Sequence, residues 1–123
     1  MKICITAQGN TLESQIDPRF GRAKYFIFYD DQTSEYEAVE NPYIGGIGGV
    51  GVQAGQLMDE KNVEVIITGN IGPNAYRTIQ ASSVTVYTGA QGPLKDVLEH
   101  YKNGELKPTY SPTVKKDAGK RNL

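Results

Sequence analysis

The most chemically suggestive stretch of this sequence is Asp17-Pro18-Arg19-Phe20-Gly21-Arg22. Arginine holds anions in a planar fork, so Arg19 and Arg22 are candidate anion-binding groups, with Asp17 ahead of them and Phe20 as an exposed aromatic between them. A turn accounts for the rest: Asp-Pro sets it, Gly21 closes it, and Asp17 can pair with either arginine. A second candidate is the glycine run Asn41 to Gly55, in which Gly46, Gly48 and Gly51 fit G-x-G-x-x-G. A dinucleotide loop needs those glycines directly after a strand, and an acid at the end of the next strand. Here residues 41–45 intervene and the next strand ends in Thr68-Gly69, so the fingerprint fails. Two readings remain for Gly46, Gly48 and Gly49: a flexible loop, or a nest of backbone N–H groups at a helix start, a general anion site. Gly51 and Gly55 read as a helix face pressed closely to a sheet, since mid-helix glycines each cost about 1 kcal/mol against alanine.

A third candidate is an internal echo. Thr68-Gly69-Asn70-Ile71-Gly72-Pro73 and Thr88-Gly89-Ala90-Gln91-Gly92-Pro93 both read T-G-x-x-G-P. Each is a strand end, a glycine turn and a proline opening a helix. Parallel strands place both turns at one edge of the sheet, where α/β proteins bind ligands. Gly69, Asn70, Gly72 and Asn74 are therefore site candidates, with the two amides directed to that edge. Soft metal ligands are scarce. Cys4 stands between Ile3 and Ile5 and reads as a core thiol, and the lone His100 falls off the apolar face of the last helix. No catalytic set is spaced convincingly, so an enzyme is not expected. The first strand, Ile3 to Ala7, carries no acid, which argues against two-metal hydrolysis.

These residues need a scaffold to position them. Lys2 to Ala7 and Tyr25 to Asp30 read as strands. Glu35 to Glu40 reads as a third strand, with Tyr36, Ala38 and Val39 inward. Val50, Ala54, Leu57 and Met58 share one helix face, with a stop at Asn62. Val63 to Thr68 is an apolar run that suits a buried parallel strand. A helix opens at Pro73, a strand follows over Val84 to Thr88, and a last helix runs from Pro93 to a stop at Gly104. The order β-β-β-α-β-α-β-α predicts an α/β fold, a three-layer α/β/α sandwich.

The 123 residues make one domain, with 38% hydrophobic and 22% charged residues and no run long enough to span a membrane. The chain enters its first strand at once, without a leader pattern, so a cytoplasmic location is expected. Lys107, Lys115, Lys116, Lys120 and Arg121 against Asp117 leave +4 at the end of the chain and −5 on the other 106 residues. An acidic body argues against nucleic acid as a partner. Residues 107–123 read as a disordered basic tail after a domain of residues 1–106.

Asp17 to Ala23 with Tyr25-Phe26, Gly49-Val50-Gly51 with Gln53-Ala54, Ile67 to Ala75, and Val86 to Gly89 together resemble the dinitrogenase iron–molybdenum cofactor biosynthesis family. This is the NifX-like domain, also found at the C-terminus of NifB-type proteins. The resemblance covers residues 1 to about 106 and implies a ribonuclease H-like fold with a mixed five-stranded sheet. It implies a carrier that binds an iron–sulfur or iron–molybdenum-type cluster weakly or transiently, with other cofactor-assembly or acceptor proteins as partners. Arg19 and Arg22 would offset cluster charge, and glycine N–H groups would bond its sulfides. A monomer or weak homodimer is expected. The alternative is a module for another small anion, a nucleotide or phosphate metabolite, at the same edge; a hydrolase on this fold is the least favoured reading.

Overall fold

A computed structural model describes residues 1–44 and 50–114. The elements run β1 (Lys2–Ala7), β2 (Tyr25–Asp30), β3 (Tyr36–Glu40), α1 (Val50–Glu60), β4 (Val65–Ile67), α2 (Pro73–Gln80), β5 (Thr85–Tyr87), α3 (Leu94–Lys102) and β6 (Pro108–Thr109). The aromatic and β-branched run of β2 and the apolar alternation of β1 form where their residue types favour strand. Asn62 leaves α1 with φ at 58° and Gly104 leaves α3 at 71°, left-handed stops that both residue types accept.

The strands form one sheet in the order β3-β2-β1-β4-β5-β6. β1, β4 and β5 are parallel, while β2, β3 and β6 pair antiparallel. Side chains alternate through the sheet into two cores. Cys4, Phe26, Phe28, Ile66 and Val86 pack with α1 and α2, and Ile3, Ile5, Ile27, Val65 and Ile67 pack with α3. The three-layer sandwich expected from the pattern is thus present.

The sheet has six strands, not five. The sixth, Pro108–Thr109, lies in the segment expected as a disordered tail. Two residues carry no hydrophobic period, and β6 forms only because the open edge of β5 offers backbone partners (Val86 to Thr109, Tyr87 to Pro108). Residues 115–123 of that tail lie outside the described residues. Strand β3 also departs from expectation. Its register sets Val39 opposite Phe26 on the α1 side, whereas Tyr36 and Ala38 fall on the other face and stay exposed, because α3 does not reach the edge of the sheet.

Gly51 and Gly55 do mark a close approach, but to a helix rather than to the sheet. A Cβ on Gly51 would lie 3.1 Å from the Ala75 Cβ, and one on Gly55 would lie 2.8 Å from the Thr78 Cγ2. Thr78 cannot turn away freely, since its hydroxyl donates to the Asn74 carbonyl at 3.0 Å. The pair lets α1 and α2 pack backbone to side chain over one face of the sheet. Gly55→Val should lower unfolding free energy by about 2 kcal/mol, the overpacking range, in urea denaturation. Wild-type stability for that variant would show that the helices can part without penalty.

Candidate functional site

The candidate residues lie at the C-terminal edge of the parallel strands, and a buried polar knot positions them. Thr6 is the penultimate residue of β1 and Thr68 directly follows β4, and both are fully buried. The Thr6 hydroxyl donates to the Asp17 carbonyl at 2.7 Å. Its single proton is then spent, so in the 2.8 Å contact between the two hydroxyls Thr68 is the donor. The Asp17 N–H returns a bond to the Thr6 carbonyl at 2.9 Å, which fastens the loop after β1 to the strand it left.

Asp17 itself is buried. Its Oδ1 accepts the Arg19 N–H and its Oδ2 accepts the Lys24 N–H, both at 3.1 Å. The carboxylate therefore closes the turn from within, and its ion pair with the Arg19 Nε at 3.6 Å is a looser addition. Asn41, also buried, closes the same loop from outside. Its amide donates to the Gly21 and Ala23 carbonyls at 3.1 and 2.9 Å, and its Oδ1 accepts the Tyr43 N–H at 2.9 Å. Every buried side-chain nitrogen or oxygen among the described residues has a partner.

The loop is then laced to the first T-G-x-x-G-P turn. The Asn70 N–H donates to the Pro18 carbonyl at 2.7 Å and the Phe20 N–H to the Asn70 carbonyl at 3.2 Å, so Arg19 and Asn70 face each other in a short parallel bridge. Gly69 permits it: a Cβ there would lie 2.6 Å from the Pro18 Cα, a backbone atom that cannot yield. The two echo turns meet as expected, with the Gly89 N–H donating to the Gly69 carbonyl at 2.8 Å.

Of the residues singled out in the sequence, Asp17, Arg19, Phe20, Arg22, Gly69 and Asn70 come together at this edge. Gly72 caps α2 and Asn74 lies in its first turn. Gly46, Gly48 and Gly49 lie outside the described residues. One expectation is corrected. Phe20 is not an exposed aromatic between arginines but a core residue, its ring 5.9 Å from that of Phe26. It anchors the loop while Arg19 stays about half exposed at 48% of its side chain. Arg22 reaches 3.5 Å from Nη1 to the carbonyl of Ile44, the residue before the glycine run. With Lys24 exposed as well, residues 17–24 carry three cations against Asp17, whose carboxylate is buried and bonded, while Glu13 lies exposed earlier in the same loop.

No thiolate or imidazole supports this edge. Cys4 is wholly buried in β1, and burial pushes its thiol far above the ordinary range, so it stays protonated. His100 sits in the last turn of α3 and bonds through Nδ1 to the Glu105 Oε1 at 2.6 Å. Among the described residues, no group of three or more His, Cys, Asp or Glu could hold a metal ion. Sequence reasoning missed Thr6 and Asn41. Thr6 had a signal, a hydroxyl in an otherwise apolar strand; Asn41 had only its place beside Pro42.

Asp17→Asn tests the knot. The amide can replace one carboxylate oxygen but turns N–H groups toward the other backbone donor, leaving it unsatisfied. The expected loss is about 1–3 kcal/mol by urea unfolding. An unchanged midpoint would mean that the carboxylate does not set the loop.

The sequence matches the dinitrogenase iron–molybdenum cofactor family over residues 1–104. An uncharacterized protein of Methanocaldococcus jannaschii is 29% identical over 109 residues, which is 86% of this chain and 89% of that one. The apo form of the orange protein from Desulfovibrio gigas superposes with a TM-score of 0.87 at 30% identity, covering 92% of this chain and 96% of its own. A Thermotoga protein assigned to NifB superposes at 0.79 with 33% identity, covering 92% and 98%. This chain belongs to the dinitrogenase iron–molybdenum cofactor family.

Proposed function

We propose that this protein is a non-enzymatic carrier of an iron–sulfur or iron–molybdenum-type cluster, held at the C-terminal sheet edge. The site would comprise the Asp17–Arg22 loop and the Gly69–Asn74 turn, joined by the Arg19–Asn70 bridge; the glycines of the 45–51 run enter from the sequence alone. One observation carries this reading: the Arg19–Asn70 bridge joins the cationic residues 19–24 to a glycine turn in a single strip, with the Asp17 carboxylate buried behind it. Such a strip recognises a preassembled anion from outside its coordination sphere. Arginine forks and N–H groups would contact the sulfides and carboxylates that the cluster brings with it. Residues that would ligate iron directly do not fit, because Cys4 is sealed in the core and His100 is engaged on α3. The cluster is therefore cargo, and weak or transient binding follows from the absence of thiolate ligation.

Cargo held this way can pass to acceptor proteins without breaking iron–thiolate bonds to the carrier. We place the protein in the cytoplasm as a monomer or weak homodimer; no helix among the described residues is long and apolar enough to cross a membrane. The order β3-β2-β1-β4-β5 supports reading the first five strands as a ribonuclease H-like sheet.

Anaerobic titration with the iron–molybdenum cofactor or a thiolate-ligated [4Fe–4S] cluster tests the reading. Visible absorbance should co-elute with the protein, and Arg19→Ala should weaken binding roughly tenfold, the worth of one charge-assisted hydrogen bond. No transfer of absorbance, or no effect of Arg19→Ala, contradicts it. Arginines without soft ligands also favour a second reading, a module for a nucleotide or phosphate metabolite. Thermal stabilisation by those anions and not by clusters would select it.

A further inference from the structure

Residues 107–114 lie beyond the family match, which ends at residue 104, yet they run back across the candidate site. β6 pairs with β5, and the Thr109 hydroxyl meets that of Thr88, in the second echo turn, at 2.6 Å. Four residues on, Thr113 grips the first echo turn at Ile71. Its N–H donates to the Ile71 carbonyl at 2.9 Å, and its Oγ1 accepts the Ile71 N–H at 2.8 Å. The Val114 Cγ2 comes to 3.9 Å from where a Gly72 Cβ would stand. The segment thus bridges both T-G-x-x-G-P turns.

We propose that this segment is a strap that occupies the Gly69–Gly72 turn in the empty protein and lifts when an anion is loaded. The inference rests on the carrier reading and adds a closed state to it. Thr113 presents a hydroxyl oxygen to the Ile71 N–H, where a sulfide, carboxylate or phosphate oxygen of a cargo would otherwise bond. The turn beneath is rigid, since the Ile71 side chain is buried in the core at 1% exposure. The cover is soft. It has a two-residue strand, Tyr110 is 80% exposed, and the bonds that hold it are polar. A closed population lowers apparent affinity in proportion to the fraction that is open.

Thr113→Val removes the hydroxyl that accepts the Ile71 N–H and donates at a longer 3.3 Å to the Ile71 carbonyl, and it keeps the cationic residues beyond it, which truncation would not. In the free protein, amide exchange at Ile71 should quicken. Binding of the thiolate-ligated [4Fe–4S] cluster, and of inorganic phosphate as a second anion, should tighten by about three- to tenfold, the range of one released neutral hydrogen bond. Thr113→Ser should restore wild-type affinity. Equal binding by wild type and Thr113→Val overturns the strap and leaves the carrier standing. Weaker binding by Thr113→Val also overturns it and makes Thr113 a cargo contact instead. No binding of either anion to any variant overturns both readings.

Discussion

A carboxylate shut away from water must be answered by N–H groups, and at Asp17 that requirement dictates the path of the chain. Its oxygens take the Arg19 and Lys24 N–H groups, seven residues of loop wrap around it, and unwinding the loop would strip the carboxylate of both partners. The Thr6 hydroxyl fixes the Asp17 carbonyl, and Asn41 fixes the other side of the loop. Phe20, drawn into the core beside Phe26, supplies the apolar half of the same anchor. Arg19, Arg22 and Lys24 are held outward as a consequence, because every inward place is taken by a residue that the knot or the core needs.

The same economy explains the join to the Gly69–Asn70 turn. Two backbones approach until only glycine fits between them, and they exchange N–H and carbonyl bonds as adjacent strands do. The exchanged bonds hold Arg19 beside the Gly69–Asn70 turn at the sheet edge. On the carrier reading this is a cradle for an anion, whereas a metal centre would need thiolates or imidazoles converging. The difference matters for a carrier, which gains from a site that recognises the outside of its cargo and releases it intact.

Much of this was legible in the sequence where a period or a repeat carried it. The bounds of β1 and β2 follow from alternation and aromatic content, and the paired T-G-x-x-G-P turns announced a shared edge. Other features depended on partners that are distant along the chain. Asn41 bonds carbonyls about 20 residues earlier, and no local pattern reports that. The spacing of Gly51 and Gly55 announced a close approach but could not say to what. Phe20 reads as exposed beside arginines because the core it enters is assembled from elements on either side of it. Two-residue β6 has no period at all and exists through the free edge of β5.

On the carrier reading, an anionic cluster meets the protein at the strip joining residues 17–24 to residues 69–72. Amide chemical-shift mapping during anaerobic titration with a thiolate-ligated [4Fe–4S] cluster reads this directly. Line broadening and shifts should concentrate on Arg19, Arg22, Asn70 and Ile71, leaving the exposed face of β3 and the His100 turn of α3 undisturbed. Perturbation centred on His100 and Glu105, or spread evenly over the surface, would contradict it.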